Sequence, residues 1–467
     1  MMENRNTSAK KFYFMGICGT AMGAVAAALK DLGYAVSGSD AAVYPPMSDF
    51  LLGKGIPILD GFHPDHVPLD ADLIVIGNAM SRGNPEVERV LDLRLRYLSL
   101  PEVLKEYFLR GKRNLVITGT HGKTTTTSLV SWLLESAGKS PNFMIGGIPA
   151  NFGQGSRLGT GSDFVVLEGD EYDTAFFDKR SKFNHYLPEI VVMNNIEFDH
   201  ADIYANLDEV KLSFRRLLRV VPSKGLDIIN GDDPNCLEVA RGCFTPVITV
   251  GLGESCERRI EGVEYQFGSS RFTLQGETYE IPLVGEFNLR NAAMAVAVGR
   301  EVGLTPDEIR LGLKTFKGIA RRQEVRGETA RGIRVIDDFG HHPTAMRQTL
   351  LAMRQQYPGR RMWALFEPRS NTTRRNVFQE ELPAALRLAD AVCVASVTNL
   401  KGVPPGERLD PERIVERLRQ WDCEAYQEPD ADAIVKRLAE KARDGDLIVV
   451  FSNGGFGGIH RKLLETL

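Results

Sequence analysis

A glycine-rich segment with a lysine and several hydroxyl groups is the part of the chain best suited to bind phosphate. It reads Gly119-Thr120-His121-Gly122-Lys123-Thr124-Thr125 and follows an apolar stretch that ends at Ile117. The backbone N–H groups of such a loop and the N-terminus of the helix after it converge on an anion. The pattern predicts that Lys123 meets the β- and γ-phosphates of a nucleotide and that Thr124 holds Mg²⁺.

The segment departs from the standard pattern GxxxxGK[ST], because position 117 is isoleucine and the first glycine is Gly119. An ordinary glycine-rich turn between a strand and a helix is therefore an alternative when the segment is considered alone. Polar residues at the ends of other predicted strands favour the phosphate-binding interpretation.

Two of these polar segments carry carboxylates and an imidazole. The acidic run Glu168-Gly169-Asp170-Glu171-Tyr172-Asp173 follows one predicted buried strand, and Asp199 and His200 lie shortly after another. Open α/β sheets build their sites at the carboxyl ends of strands, and Mg²⁺ is normally shared between carboxylates, phosphates and water. We expect Glu168 and His200 to join Thr124 as metal ligands. A solvated acidic loop and a structural histidine are the alternatives.

A second glycine turn lies near the N-terminus. It reads Gly16-Ile17-Cys18-Gly19-Thr20-Ala21-Met22-Gly23, and Ser39 and Asp40 follow about twenty residues later, where nucleotide-binding folds place an acidic residue on a ribose hydroxyl. The spacing GxxGxxxG differs from the GxGxxG of dinucleotide-binding folds. This difference disfavours an NAD-dependent dehydrogenase. Measurement of nicotinamide binding would test that alternative.

The apolar patterns that position these residues predict an α/β protein with three domains. They are an N-terminal Rossmann-like domain over 1–111, a central P-loop ATPase-type parallel sheet with a small antiparallel addition over 112–320, and a C-terminal Rossmann-like domain over 321–467. The antiparallel strands are predicted within 247–281, a helix over 98–110 and a linker over 319–331. Buried strands are predicted at 11–17, 35–38, 73–77, 115–117, 164–167, 190–193, 226–229, 334–336, 362–366, 391–395 and 447–451.

Composition excludes several classes of protein. The 467 residues are 43% hydrophobic and 25% charged with a formal net charge of −4, which argues against a general nucleic-acid surface. No stretch approaches the roughly 18 apolar residues of a membrane helix, and residues 1–11 do not read as a signal peptide. Six cysteines without CxxC spacing indicate reduced thiols. We expect a cytoplasmic protein that binds neither nucleic acid nor membrane.

These segments, in this order, resemble the Mur ligase family, the ATP-dependent amide-bond ligases of bacterial cell-wall precursors. The resemblance covers nearly the whole chain. It rests on the phosphate-binding loop, including its missing first glycine, and on segments that match the family's NxxxDH, GxxNxxNA and RRxE patterns. These three are Asn195 to His200, Gly285 to Ala292 and Arg321 to Glu324.

The resemblance implies roles for individual residues. Lys123, Glu168 and His200 would be catalytic, and ATP would contact the phosphate-binding loop. The other implied contacts are Asn288, Asn291, Arg322 and Asp338 for ATP; Gly16, Cys18, Gly19, Thr20, Met22, Ser39 and Asp40 for a UDP-sugar; and His341 and Arg369 for a peptide.

Within the family, the chain resembles the branch that accepts UDP-N-acetylmuramate. Four segments favour the member of that branch that adds L-alanyl-γ-D-glutamyl-meso-diaminopimelate, a murein tripeptide, in peptidoglycan recycling. They are Tyr44 to Ser48, Glu171 to Phe183, Phe366 to Thr372 and Ser452 to Gly458. The implied reaction uses ATP and Mg²⁺ and passes through an acyl phosphate. Water must be excluded from this intermediate by closure of the three domains, with Arg321 and Arg322 near the hinge, and we expect an open form of the free protein. Addition of L-alanine is the nearest alternative, and a regulator that only hydrolyses ATP is another. We expect a monomer or weak homodimer.

Overall fold

Residues 10–467 of the computed structural model are described below, and they contain three separate main sheets. The first sheet is fully parallel, with the strand order β3-β2-β1-β4-β5. This order reverses direction between β1 and β4, as in Rossmann folds. Its elements are β1 (Lys11–Met15), α1 (Thr20–Asp31), β2 (Ala35–Asp40), α2 (Met47–Gly53), β3 (Ile58–Asp60), β4 (Leu73–Ile76), α3 (Pro85–Asp92), β5 (Tyr97–Ser99) and α4 (Leu100–Leu104).

The second sheet has ten strands in the order β17-β16-β15-β14-β13-β12-β6-β9-β7-β8. Its strands are β6 (Arg113–Thr118), β7 (Asn142–Met144), β8 (Ser156–Arg157), β9 (Phe164–Glu168), β12 (Ile190–Met193), β13 (Leu226–Asn230), β14 (Val247–Gly251), β15 (Arg258–Gln266), β16 (Ser269–Leu274) and β17 (Glu277–Ile281). A separate hairpin pairs β10 (Asp173–Ala175) with β11 (Asp178–Ser181). The helices are α5 (Lys123–Ser136), α6 (Leu207–Leu218), α7 (Pro234–Ala240), α8 (Glu286–Glu301) and α9 (Pro306–Lys314).

The third sheet has the order β18-β19-β23-β20-β21-β22, in which only the edge strand β18 is antiparallel. Its strands are β18 (Glu324–Glu328), β19 (Arg334–Asp338), β20 (Met362–Phe366), β21 (Ala391–Ala395), β22 (Glu424–Glu428) and β23 (Leu447–Phe451). Its helices are α10 (Pro343–Gln356), α11 (Glu381–Leu386), α12 (Pro411–Gln420), α13 (Ala431–Lys441) and α14 (Ile459–Thr466). The predicted α/β class, with two Rossmann-like sheets around a larger mixed sheet, is confirmed.

Three local predictions were wrong. Residues 98 and 99 belong to β5 and not to a helix, and the predicted linker contains β18. The antiparallel addition begins only at β15, because β14 pairs in parallel with β13. In each case a short or half-exposed segment takes its structure from a neighbouring strand, which the local sequence does not show.

The N-terminal and central sheets share one continuous core. Phe108 and Leu109, which follow α4, are buried in the same apolar cluster as Val116 of β6 and Val191 of β12. The ring of Phe177, in the β10–β11 hairpin, packs edge-on against Tyr97 of β5 at 4.9 Å. Aromatic and aliphatic burial of this kind stabilises the contact between the two sheets.

No helix within residues 10–467 is long and apolar enough to cross a membrane.

Candidate active site

The predicted phosphate-binding loop connects β6 to α5 and depends on two glycines. Gly119 and Gly122 have positive φ angles of +127° and +79°, which favour residues without a side chain. A Cβ atom on Gly122 would clash with Oδ1 of Asn291. The loop therefore needs glycine for its conformation and for its close approach to α8, and it leaves the N-terminus of α5 open toward the cleft.

The side chain of Lys123 contacts the backbone of its own loop and a carboxylate of the acidic run. Its Nζ donates to the backbone carbonyl of Gly119 at 2.6 Å and lies 2.9 Å from Oε2 of Glu171. Burial of Lys123 opposes its positive charge, but the neighbouring Glu171, Glu168 and Asp170 outweigh burial and raise the pKa of the ammonium group. The lysine is therefore a charged donor at the floor of the cleft.

Thr124 and Glu168 provide oxygen atoms that suit Mg²⁺. The Thr124 hydroxyl donates to Oε1 of Glu168 at 3.0 Å, and the backbone N–H of Gly146 donates to Oε2 at 2.7 Å. The second bond fixes the carboxylate at the end of β9. A hydroxyl and a carboxylate beside a phosphate-binding loop fit a hard cation that shares its ligands with phosphate and water.

His200 shares Glu171 with Lys123. Its Nε2 lies 3.0 Å from Oε1 of Glu171, and its backbone has a φ angle of +55°. Burial disfavours the charged imidazole, but the hydrogen bond and charge of Glu171 outweigh burial and raise the pKa of His200. The acidic run thus contributes two different carboxylates, Glu168 beside Thr124 and Glu171 between two cationic side chains.

The start of α8 forms the other wall of the phosphate-binding loop. Asn288 donates to the carbonyl of Val284 at 2.9 Å and to the side chain of Gln323 at 3.2 Å. Nδ2 of Asn291 is buried without a hydrogen-bond partner among the described residues.

Next to Asn291, a small cavity extends between Phe287, Met294, Val250 and Ile260. Its apolar walls and polar entrance suit a planar heterocyclic base.

Residues from the start of the C-terminal domain complete the cleft. Arg322 donates to the Thr124 hydroxyl at 3.3 Å and stacks on the ring of Phe339. Burial raises the pKa of Asp338, although Arg322 opposes the shift, and its carboxylate accepts the N–H groups of Gln323 and Gly340 at 3.0 and 2.8 Å.

The central and C-terminal domains are in direct contact above this site. Thr372 donates its hydroxyl to Oδ1 of Asp199 at 2.8 Å, and Asn371 donates to Asp202 at 2.8 Å. The Thr344 hydroxyl donates to Oε2 of Glu197 at 2.7 Å. Closure over the phosphate-binding loop is thus built from specific polar contacts.

A single cleft of about 310 Å³ brings together most of the predicted nucleotide and metal residues. The predicted residues that line it are Thr120, His121, Gly122, Lys123, Thr124, Thr125, Glu168, His200, Asn288, Asn291, Arg322, Asp338 and His341. Gly119 contributes its backbone carbonyl to Lys123 just below the cleft. Elements of two sheets therefore converge on one site, although their nucleotide and metal roles stay predictions.

The predicted UDP-sugar residues lie together in the N-terminal domain. The carboxylate of Asp40 accepts the backbone N–H groups of Cys18 and Ala42 at 2.9 and 3.0 Å. The N–H of Gly16 donates to the carbonyl of Ser39 at 2.8 Å. Gly19 precedes α1, in which Thr20 is exposed and Met22 is buried. Asp40 thus shapes the glycine turn, and its carboxylate has further acceptor positions for a ligand.

Sequence reasoning missed several residues of the site. Glu171 and Glu197 lie inside segments whose chemistry was recognised, but only the fold shows that Glu197 lines the cleft and that Glu171 is buried between Lys123 and His200. His342 follows His341 and also lines the cleft. Arg369, the predicted peptide contact, lies outside this cleft, where it is half exposed and 3.7 Å from Glu367, and its role stays a prediction.

Three family models match consecutive parts of the chain. They are described as Mur ligase family, catalytic domain, over residues 11–111; Mur ligase middle domain, over 117–299; and Mur ligase, glutamate ligase domain, over 321–454. The chain belongs to the Mur ligase family, and the resemblance in the sequence is confirmed. Members of this family are ATP-dependent enzymes that form amide bonds.

Individual relatives place the chain more finely. The UDP-N-acetylmuramate–L-alanyl-γ-D-glutamyl-meso-2,6-diaminoheptandioate ligase of Escherichia coli (strain K12) is 40% identical and covers 98% of both chains. The UDP-N-acetylmuramate–L-alanine ligase of Variovorax paradoxus (strain S110) is 34% identical over 98% of this chain and 95% of its own. The crystal structure of a murein peptide ligase from Psychrobacter arcticus 273-4 superposes with a TM-score of 0.72, at 36% identity and 98% coverage of both chains.

Proposed function

We propose that this protein joins L-alanyl-γ-D-glutamyl-meso-diaminopimelate to the lactyl carboxylate of UDP-N-acetylmuramate in peptidoglycan recycling, with ATP converted to ADP and phosphate. The observation that carries this proposal is the single cleft in which the phosphate-binding loop, the Thr124–Glu168 pair and His200 face the C-terminal domain. The full-length similarity to the Escherichia coli ligase whose name contains both substrates supports this choice of substrates.

A carboxylate is a poor acyl donor, so we propose that the γ-phosphoryl group of ATP is first placed on it. The resulting acyl phosphate is attacked by the amine of the tripeptide, and phosphate leaves. Lys123, at the N-terminus of α5, would stabilise the negative charge that shifts during phosphoryl transfer. Asn291 and the apolar cavity beside it would hold the base of the nucleotide.

We propose that Thr124 and Glu168 hold one Mg²⁺ ion and that His200 would hold a second one against the substrate carboxylate. When bound, the ions neutralise charge on the triphosphate and on that carboxylate. The hydroxyl and carboxylate oxygens at 3.0 Å, with Glu168 fixed by the N–H of Gly146, support this assignment. Arg322, which donates to the same hydroxyl, would orient the phosphates from the linker.

Exclusion of water is the role we propose for the contacts between the central and C-terminal domains. An acyl phosphate hydrolyses when water reaches it, so the cleft must be closed before transfer. The hydrogen bond from Thr372 to the buried Asp199 lies at this boundary. We assign the UDP-sugar to the N-terminal domain, residues 1–111, and the incoming tripeptide to the C-terminal domain, residues 321–467, with His341 and Arg369 as contacts.

One assay separates this function from its alternatives. The purified protein is incubated with ATP, Mg²⁺ and UDP-N-acetylmuramate, together with either the tripeptide or L-alanine, and phosphate release and the muramyl product are measured. We expect tripeptide-dependent phosphate release and a product whose mass corresponds to one amide bond formed. Turnover with L-alanine alone would instead favour the L-alanine ligase.

The same assay tests whether the protein only hydrolyses ATP. Phosphate release without any muramyl product would indicate a nucleotide-dependent regulator. We propose a monomer or weak homodimer, which sedimentation of the purified protein over a range of concentrations measures.

A further inference from the structure

Three side chains that could bind a transition metal meet at the boundary between the central and C-terminal domains. They are His121 in the phosphate-binding loop, Glu197 after β12 and His342 at the start of α10. One possible ligand atom from each residue lies within 4.8 Å of the other two. None of the three belongs to the proposed Mg²⁺ ligands.

The distances inside this cluster suit a bridging ion better than direct hydrogen bonds. Nε2 of His121 and Nδ1 of His342 are each 3.5 Å from Oε2 of Glu197. A tetrahedral Zn²⁺ ion with bonds of about 2.0–2.1 Å places neighbouring ligand atoms about 3.3–3.4 Å apart. Nε2 of His121 is also buried without a hydrogen-bond partner among the described residues.

The surroundings hold two of these side chains in the form that a metal requires. Nε2 of His342 faces the carbonyl of Phe198 at 3.2 Å, which places the ring proton there and leaves a lone pair on Nδ1. The Thr344 hydroxyl donates to Glu197 at 2.7 Å and fixes the carboxylate. Metal-binding histidines commonly donate their second nitrogen to a carbonyl in this way.

An ion at this cluster would displace few existing contacts. The lone pair of His342 currently accepts the backbone N–H of Thr344 at 3.2 Å, so an ion would replace only one neutral hydrogen bond.

We propose that His121, Glu197 and His342 form a binding site for a transition-metal ion of the Zn²⁺ class, with water as the fourth ligand. Two imidazoles and one carboxylate favour such an ion over Mg²⁺, which prefers oxygen ligands. Two of the ligands belong to the central domain and one to the C-terminal domain. A bound ion therefore ties the two domains together across the nucleotide cleft and holds the closed form.

The test uses Co²⁺ as a spectroscopic substitute for Zn²⁺. The full-length protein is freed of metals with a chelator and titrated with Co²⁺ in excess Mg²⁺, which keeps the oxygen-rich site occupied. We expect one equivalent of Co²⁺ to bind and to produce the strong visible absorption of a four-coordinate ion, and Zn²⁺ to displace it. Zn²⁺ should also raise the melting temperature of the protein.

Variants show whether these residues bind the ion. We expect H342N and E197Q each to weaken Co²⁺ binding at least tenfold and to abolish the stabilisation by Zn²⁺. H63N is the matched control, because His63 lies beside Asp65 on the exposed surface of the N-terminal domain, and it should bind like the wild type.

Three outcomes would overturn the proposal: no four-coordinate spectrum in the wild type, unchanged binding by either variant when it is folded, or loss of the spectrum in H200N but not in H342N. The measurements need no substrate, so their outcome is independent of the ligase reaction.

Discussion

Lys123 and Glu171 form a buried ion pair where the phosphates of a nucleotide are expected. Nζ of Lys123 lies 2.9 Å from Oε2 of Glu171, and the Glu171 side chain is only 2% exposed. The same carboxylate accepts a hydrogen bond from His200 at 3.0 Å. Glu171 thus carries the negative charge that balances two cationic groups, and a bound triphosphate would compete with it for Lys123.

Replacement of Glu171 by glutamine should make the melting temperature of the protein depend more strongly on ATP. Breaking a buried ion pair costs about 3–5 kcal/mol, so E171Q without ligand should melt at a lower temperature than the wild type. ATP with Mg²⁺ restores the missing negative charge and should raise the melting temperature of E171Q more than that of the wild type. Thermal unfolding with and without ATP measures both effects.

The control for E171Q is E254Q, since Glu254 is an exposed glutamate on the central domain. An ATP-induced shift in E171Q no larger than in the wild type would show that Glu171 does not compete with phosphate.

Lys123→Ala should remove most of the ligase activity. The lysine is the charged donor at the N-terminus of α5, and loss of one donor that stabilises a transition state typically lowers kcat about 10²–10³-fold. Phosphate release and product formation should fall together, while circular dichroism remains unchanged. Lys462→Ala is the control, because Lys462 pairs with Asp432 in the C-terminal domain. Full product formation by a folded K123A protein would exclude the proposed chemistry.

Glu168→Gln should specifically change how the ligase activity depends on the concentration of Mg²⁺. The carboxylate is fixed beside Thr124 by the N–H of Gly146, so the amide should retain the local shape but remove one anionic ligand. We expect the Mg²⁺ concentration that gives half-maximal activity to rise about tenfold or more. Titration of activity with Mg²⁺ at saturating ATP measures this shift. An unchanged titration curve would assign the ion to other ligands.

The sequence predicted the interior of the sheets better than their edges. Strands such as Ile190–Met193 and Leu447–Phe451 are continuous apolar runs because both faces of a parallel strand are buried. The edge strands Ile58–Asp60 and Glu424–Glu428 contain polar or exposed residues and depend on a neighbour for their pairing. Local patterns therefore do not specify them.

The residues of the site divide in the same way. Those that the local sequence specifies could be predicted, and contacts between distant segments could not. The phosphate-binding loop and Glu168 could be predicted because a strand end delivers each of them to one edge of the sheet. The pairing of Glu171 with both Lys123 and His200 joins residues 29 or more positions apart. The contact between Glu197 and Thr344 even joins two domains, so only the folded chain reveals it.

Thr372→Val should weaken closure without changing the shape of the side chain. The Thr372 hydroxyl donates to Asp199, whose side chain is nearly fully buried. Loss of a partner from a buried acceptor costs about 1–3 kcal/mol. We expect faster hydrogen exchange in residues 199–202 and at least a fivefold lower kcat/KM. Thr278→Val, in a hydroxyl pair on the exposed antiparallel strands, is the control. Unchanged exchange would show that this bond does not stabilise closure.

Asp227 should make the stability of the central domain depend on pH. It is fully buried on β13, and neither carboxylate oxygen has a hydrogen-bond partner among the described residues. Burial raises the pKa of Asp227 from 3.8 to about 7. The folded state therefore retains a proton that the unfolded state releases. Its stabilising contribution is complete below pH 4 and is lost as pH rises to about 7.

Asp227→Asn removes this titration while keeping the size of the side chain. Between pH 4 and pH 7, the free energy of unfolding of the wild type should fall relative to D227N by up to about 4 kcal/mol, since each pKa unit corresponds to about 1.4 kcal/mol. Urea unfolding at several pH values measures the difference, with the exposed D65N as the control. Parallel pH profiles for the wild type and D227N would mean that Asp227 is ionised in the folded protein throughout this range. In that case, water or a rearranged polar group must reach its carboxylate.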